Sequence, residues 1–157
     1  MKTVVIGLGN PIVSDDAVGI RVAREVQGGL GDRLDVAFRE MYSGGLRLME
    51  MMQGFDRAIV IDAMNLPQIP PGTIREFFPG TPLQGKNLFC THDTSLEVAL
   101  ETGRALGLIL PQELIILGIQ AQDLENFSEV LTDRVEQAVP EAVARVKKYL
   151  GLKEFSE

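Results

Sequence analysis

Apolar positions along this chain follow two different periods, and their alternation predicts strands separated by helices. Short apolar runs rich in β-branched residues are typical of strands buried on both faces of a sheet. Between them, apolar residues recur every three or four positions, which indicates helices with one buried face. We therefore predict an α/β fold, a three-layer sandwich in which helices flank a mostly parallel, twisted central sheet.

The strand and helix patterns can be placed on the chain. Runs that predict strands are Thr3–Leu8, Leu34–Arg39, Ala58–Ile61, Thr73–Phe78 and Leu114–Ile119. Helical repeats are carried by Val18, Val22 and Val26, by residues from about Leu46 to Gln53, by Leu96, Leu100 and Gly103, and by Val135, Val139, Val143 and Val146. We expect Ser14 or Asp15 to cap the first helix and Pro140 to kink or break the last one.

Length and composition limit the classes of protein to consider. The chain has 157 residues, 45% of them hydrophobic, and we expect a single domain over residues 1–157. Its net charge of -7 disfavours a nucleic acid as partner and suits a cation or a basic peptide. No apolar run approaches the ~18 residues of a membrane span, so we expect no membrane insertion.

The single cysteine and the start of the chain bear on its location. Cys90 is the only cysteine, so an internal disulfide cannot form and a reducing compartment fits. The first residues enter a strand pattern directly, without the regions of a signal peptide. We expect a cytoplasmic protein.

Candidate site residues follow from the predicted sheet. Ligands of α/β proteins bind beyond the C-terminal ends of the strands. Seven residues meet this criterion, and we expect the uncharged ones to contact substrate. They are Asn10, Asp16, Ser43, Gly45, Asp62, His92 and Gln120.

Three of these candidates form a possible ligand set for a metal ion. Asp16, Asp62 and the only histidine, His92, offer oxygen and nitrogen donors that suit Ni²⁺ or Zn²⁺ and leave coordination positions open for substrate. The aspartates can also be explained without a metal ion. Asp62 can tie a loop and either acid of Asp15-Asp16 can sit at a helix start, although that role needs only one of them.

Two other chemistries are weakly indicated. Gly7-Leu8-Gly9 resembles the beginning of a dinucleotide-binding turn, but Ile12 stands where the third glycine belongs. Cys90 lies two residues from His92, but no third group that would orient the histidine is evident. A nicotinamide cofactor and a cysteine nucleophile are both disfavoured.

Four segments together resemble a known family. Gly9–Gly19 resembles the G-N-x-x-x-x-D-[DE]-x-x-G signature of the hydrogenase maturation proteases. Ile61–Ala63 resembles their strand-end aspartate motif, and Thr91-His92 with Ser95-Leu96 resembles their histidine loop. Leu117–Gln120 is similar to their late G-[IV]-Q segment. The likeness extends over nearly the whole chain.

This resemblance implies a function. It assigns metal binding to Asp16, Asp62 and His92, and it implies an aspartic-type endopeptidase centred on Asp16 and Asp62. The implied substrate is the large-subunit precursor of a [NiFe] hydrogenase, from which a C-terminal extension is removed after nickel insertion. Nickel would then be supplied by the bound substrate, and other divalent ions could substitute for it.

One segment departs from the family pattern, and two other functions stay open. Glu40–Ser43 stands where many members have D-G-G-T, so the shape of the cleft is expected to differ there. Peptidyl-tRNA hydrolases also begin with a strand and G-L-G-N-P, but their catalytic histidine follows that motif and their surface is basic. A nickel carrier without catalytic activity would keep the same ligands.

Overall fold

The computed structural model describes residues 1–78 and 96–152, and these form an α/β sandwich that confirms the predicted fold class. A 3₁₀ turn, Ser14–Ala17, precedes the first helix. The strands are β1 (Thr3–Leu8), β2 (Val36–Met41), β3 (Arg57–Met64), β4 (Ile74–Phe77) and β5 (Glu113–Gln120). The helices are α1 (Val18–Gly28), α2 (Gly45–Met52), α3 (Leu96–Ala105) and α4 (Asp133–Tyr149).

The strand order in the sheet creates one topological switch point. The order is β2-β1-β3-β5-β4, with β4 antiparallel to β5 and all other neighbours parallel. From β1 the chain goes to β2 on one side, and it later returns to β3 on the other side. The chain therefore continues from β1 toward one edge of the sheet and from β3 toward the other edge. Open α/β sheets bind ligands in the crevice at such a point, beyond the C-terminal ends of the two strands.

Alternation along the strands divides the core into two layers. Val5, Ile59 and Ile115 pack with the buried faces of α1 and α4, whereas Val4 and Val60 pack with those of α2 and α3. Consecutive strand residues point to opposite faces, so each strand contributes to both layers. Within the described residues, no helix combines the length and apolar character needed to cross a bilayer.

The predicted bounds of β2 and β3 were wrong, and the helix break predicted as one possibility at Pro140 is absent. Leu34 is fully exposed, and β2 begins at Val36 instead. Strand β3 continues to Met64, so Asp62 lies inside the strand and not at its end. A kink or a break was expected at Pro140, and the break is absent, because α4 runs without interruption from Asp133 to Tyr149 with Val139 and Ala142 buried beside the exposed Pro140.

Candidate active site

Asp16 lies in the connection between β1 and α1. Its side chain is half-buried, and its carboxylate Oδ2 accepts a hydrogen bond of 2.8 Å from the backbone N–H of Asn10. The side-chain oxygen of Asn10 in turn accepts from the N–H of Ile12 at 3.2 Å. The connection is thus folded around the Asp16 carboxylate, with Asn10 exposed at its rim.

Two glycines allow this connection to approach the sheet closely. A Cβ atom on Gly9 would lie 1.9 Å from the carbonyl oxygen of Asp16, and Gly9 has a φ angle of 149°. A Cβ atom on Gly19 would lie 2.1 Å from the carbonyl oxygen of Ile61. No side chain fits at either distance, so both glycines are required where the start of α1 meets β1 and β3.

Asp62 is placed at the opening of the switch point. The pairing of β1 with β3 ends at Gly7 and Ile61, while β3 and β5 stay paired from Asp62 and Gly118 onward. From Asp62 onward, β3 therefore has no β1 residue paired with it. Its side chain is only 7% exposed.

The two aspartates interact electrostatically. Burial away from water raises the pKa of the Asp62 carboxyl well above its ordinary value, and the negative charge of Asp16 raises it further. A hydrogen bond from the Ala63 backbone opposes this shift but does not cancel it. The charge of Asp16 therefore acts on Asp62, and both burial and this charge shift the Asp62 carboxyl toward its protonated form.

Such a pair can perform two kinds of chemistry. Carboxyls with different environments divide into an acid and a base, since the more buried one holds its proton to higher pH. Two adjacent carboxylates also attract a divalent cation, which would relieve their mutual repulsion. The donor set of Asp16 and Asp62 fits an ion bound through oxygen.

The predicted third ligand cannot be placed. His92 and Cys90 lie outside residues 1–78 and 96–152, so the proposed convergence of His92 on the two aspartates stays a prediction. Among the residues that the structure does describe, no group of three or more histidine, cysteine, aspartate or glutamate side chains could hold a metal ion.

The remaining candidates lie at the same edge of the sheet in different settings. Ser43 is half-buried between β2 and α2, and Gly45 is the buried first residue of α2. Gln120 ends β5 and is 4% exposed. Its amide oxygen accepts from the N–H of Leu66 at 3.0 Å and its amide nitrogen donates to the Leu66 carbonyl at 3.1 Å. Gln120 therefore fixes the loop after β3, and its contact with substrate stays a prediction.

Glu40 stands where the related signature has an aspartate, and its carboxylate is engaged. The guanidinium of Arg24 on α1 donates to Glu40, with one Nη2 to Oε2 distance of 2.9 Å. This ion pair joins β2 to α1. The glutamate that replaces the aspartate of the signature therefore holds the edge strand β2 to α1.

Asp15 has a role that the sequence did not reveal. We expected Ser14 or Asp15 to cap α1, but Asp15 is completely buried, and neither the 3₁₀ turn nor α1 has a side-chain cap. Its carboxylate accepts hydrogen bonds from Gln122, Asp123 and Thr132, more than a hundred residues away. The only local signal was the doubled acid, of which a helix start needs one.

A polar cavity opens at the same rim. Its volume is about 540 Å³, and it lies beyond the C-terminal ends of β3 and β5. Its lining residues are Asn65, Ala121, Gln122, Asp123, Leu124, Glu125, Asn126 and Thr132. Two of the lining residues, Asp123 and Glu125, are acidic and form what we call the acidic wall of the cavity.

The fold and the acid pair define an α/β protein with an acidic centre at its switch point. Comparison with known proteins assigns the family. Residues 20–149 match the family described as "Hydrogenase maturation protease". The hydrogenase 2 maturation protease of Escherichia coli K12 is 28% identical over 149 residues, which are 93% of this chain and 88% of the relative. HoxM, a hydrogenase expression/formation protein of Cupriavidus necator, is 27% identical over 146 residues, 90% of this chain and 70% of the relative.

A solved structure agrees with the sequence comparisons. The hydrogenase maturating endopeptidase HybD from Escherichia coli has a TM-score of 0.77 to this chain at 27% identity, covering 96% of this chain and 93% of HybD. The chain belongs to the hydrogenase maturation protease family. Its activity class is accordingly that of a peptidase.

Proposed function

We propose that this protein is the cytoplasmic endopeptidase that removes the C-terminal extension from a [NiFe] hydrogenase large-subunit precursor loaded with nickel. The observation that carries the proposal is the pairing of Asp16 with the buried Asp62 at the switch point. Membership of the maturation protease family supports the substrate class. The names of relatives that act in hydrogenase maturation or formation support it as well.

The acid pair supplies the proton transfers that peptide hydrolysis needs. Water must lose a proton as its oxygen attacks the carbonyl carbon, and the amide nitrogen must gain one as the C–N bond breaks. Asp16 is half-buried and its carboxylate accepts the Asn10 N–H, and we assign it the role of general base. Asp62, whose pKa is raised, is the natural donor to the carbonyl oxygen or the leaving amine.

Nickel enters this scheme as part of the substrate. Carboxylate oxygens of Asp16 and Asp62, together with the predicted ligand His92, would fill only part of a coordination sphere. The remaining positions would be filled by the precursor's own ligands, so the ion would anchor the scissile segment near the acids. On this account the protease recognises a precursor that has received its nickel.

The acidic cavity, which neither Asp16 nor Asp62 lines, offers room for a part of the precursor peptide away from the acid pair. It begins beside Asn65, which follows β3 three residues after Asp62. Its acidic wall suits basic or neutral residues of an extended peptide and disfavours acidic ones. The net charge of -7 has the same consequence for the whole surface.

The function is tested by incubating the purified protein with nickel-loaded and nickel-free precursor and measuring intact masses. The nickel-loaded precursor should lose a C-terminal fragment, whereas the nickel-free precursor should remain nearly uncut. Retention of full mass together with tight nickel binding by the protein would instead support a carrier. Equal cleavage of both precursors would show that nickel is not the recognition signal.

A further inference from the structure

We propose that Asp15 is a positioning residue, which fixes the direction of the Asp16 carboxylate by clamping its turn to the loop between β5 and α4. The clamp is defined here as the Asp15 side chain and its partners Gln122, Asp123 and Thr132. This inference rests on the proposed function for its catalytic consequence. Its structural part, the restraint of residues 10–17, can be measured without any substrate.

The clamp consists of four hydrogen bonds to one carboxylate. Asp15 Oδ2 accepts from the N–H groups of Gln122 and Asp123, each at 2.9 Å, and from the Thr132 hydroxyl at 2.8 Å. Its Oδ1 accepts from the Thr132 N–H at 2.8 Å. Thr132 is the N-cap residue of α4, so the clamp also fixes the start of that helix. Four hydrogen bonds that converge on one buried side chain hold it in a single orientation.

The backbone around Asp15 is joined to the same loop. The Asp15 N–H donates to the Asp123 carbonyl at 3.1 Å, and the Ser14 N–H donates to the Ser128 carbonyl at 2.8 Å. The Ser128 N–H donates to the Ile12 carbonyl at 2.9 Å. The start of the 3₁₀ turn and the residue two positions before it are therefore held by one distant segment.

Backbone strain at Ser14 shows how firmly this turn is restrained. Ser14 is 3% exposed and has a φ angle of 40°, a left-handed conformation that a side chain other than glycine disfavours. Such a conformation persists only where the surrounding contacts determine it, and strained residues of this kind occur at functional sites. Its hydroxyl contacts the Val130 carbonyl at 3.3 Å, again in the β5–α4 loop.

The geometry of the turn transmits the restraint to Asp16. Successive side chains of a 3₁₀ turn diverge by about 120°, since it has 3.0 residues per turn. Anchoring Asp15 in the β5–α4 loop therefore sets the rotation of the turn and directs Asp16 to another side. There its carboxylate accepts the Asn10 N–H and interacts with Asp62. The doubled acid is thereby explained as one anchor and one functional group.

The test uses three variants with a matched control for stability. Thr132→Val removes the hydroxyl donor to Asp15, and Thr132→Ser restores it. Asp15→Asn faces the same donors with an amide and disrupts the clamp more severely. Val146→Ala creates a cavity in α4 at a buried position far from the clamp and controls for general destabilisation.

Two measurements are made on each folded variant below its unfolding temperature. Hydrogen exchange of the amides in residues 10–17 should accelerate in Thr132→Val and Asp15→Asn, and not in Thr132→Ser or Val146→Ala. Single-turnover cleavage of nickel-loaded precursor should slow about tenfold in Thr132→Val, as for loss of a hydrogen bond to a charge. It should slow roughly a hundredfold in Asp15→Asn, because the acid is misplaced.

The outcomes separate this inference from the proposed function. Unchanged exchange of residues 10–17 in both clamp variants would overturn the clamp, whatever the wild type does to the precursor. Accelerated exchange with wild-type cleavage rates would overturn its positioning role. If the wild type itself fails to cleave, the proposed function fails, and the exchange measurement still decides whether the clamp exists.

Discussion

Gly19 on α1 and Ile61 on β3 lie so close that a Cβ atom on Gly19 would be 2.1 Å from the Ile61 carbonyl oxygen. Asp62 is the next residue after Ile61, and Asp16 precedes Gly19 by three positions. The contact between helix and strand therefore determines how near the two acids come to each other. It is the packing interaction on which the candidate site depends.

Replacing Gly19 with alanine should damage both stability and activity. The added methyl group must displace backbone atoms of β3, and we expect a loss of about 2–3 kcal/mol in the free energy of unfolding. Because α1 moves away from β3, precursor cleavage should fall roughly a hundredfold. Urea unfolding and single-turnover cleavage measure the two effects.

Gly28→Ala is the matched control for this substitution in the same helix. Gly28 is exposed at the end of α1, and a Cβ atom there would meet nothing within 4 Å. We expect the free energy of unfolding to change by no more than about 1 kcal/mol and cleavage to remain as in the wild type. Similar behaviour of the two variants would show that the close contact of α1 with β3 is not important.

The raised pKa of Asp62 predicts a specific dependence of stability on pH. Above 3.8, the ordinary value, an aspartate in the unfolded chain is ionised, while Asp62 in the folded protein keeps its proton until its raised pKa is reached. The folded state then binds more protons than the unfolded state, so the contribution of Asp62 to stability falls as pH rises through this window. Asp62→Asn removes this contribution.

The free energy of unfolding of Asp62→Asn minus that of the wild type should therefore increase with pH and then level off. Urea titrations at intervals from about pH 4 to pH 8, with a chelator present to remove bound cations, measure this difference. The account of Asp62 as a buried, protonated carboxyl is contradicted if the difference stays constant over the whole range.

Coupling between the two acids can be measured separately. The negative charge of Asp16 is the second cause of the raised pKa of Asp62, after burial. Asp16→Asn should therefore lower the pKa of Asp62 toward its ordinary value without restoring it fully, because burial remains. Carbon NMR of the Asp62 carboxyl group during a pH titration measures the shift, and an unchanged pKa would mean that the acids do not interact.

Much of the fold followed from the sequence because local patterns determine it. Thr3–Leu8 was predicted with the bounds that β1 has, and Leu96, Leu100 and Gly103 are buried on one face of α3 as expected. The ends of β2 and β3 were misplaced, since neighbouring strands and not the local pattern decide where pairing stops. Pro140 was expected to kink or break α4, and the break is absent, with buried neighbours that hold the helix on the sheet.

The site was less accessible to sequence reasoning because its contacts are distant in the chain. Asp15 and Asp16 are adjacent acids, and nothing in the local sequence tells them apart. Asp15 is buried in the clamp, whereas the charge of Asp16 acts on Asp62. The sequence did not reveal that the Gln120 amide holds the backbone of Leu66, and its predicted contact with substrate stays a prediction. Only the folded structure shows which polar groups are already engaged.

The cysteine and histidine near residue 90 give a contrasting pair of variants. Cys90→Ala should keep precursor cleavage near the wild-type rate, whereas His92→Ala should abolish it while changing the free energy of unfolding by no more than ~1 kcal/mol. This expectation follows from the predicted ligand role of His92. Loss of cleavage in Cys90→Ala with an intact fold would indicate a cysteine nucleophile, and normal cleavage by His92→Ala would remove histidine from the site.

The central claim, that Asp16 and Asp62 carry out hydrolysis, is tested most directly with isosteric amides. Single-turnover cleavage of nickel-loaded precursor should be measured for Asp16→Asn, Asp62→Asn and Asp32→Asn, the last an exposed aspartate that precedes β2 at the opposite end of the sheet. We predict a fall of at least roughly a hundredfold for each of the first two, as for loss of an acid or base catalyst, and the wild-type rate for Asp32→Asn. Wild-type cleavage by folded Asp16→Asn or Asp62→Asn would contradict the claim.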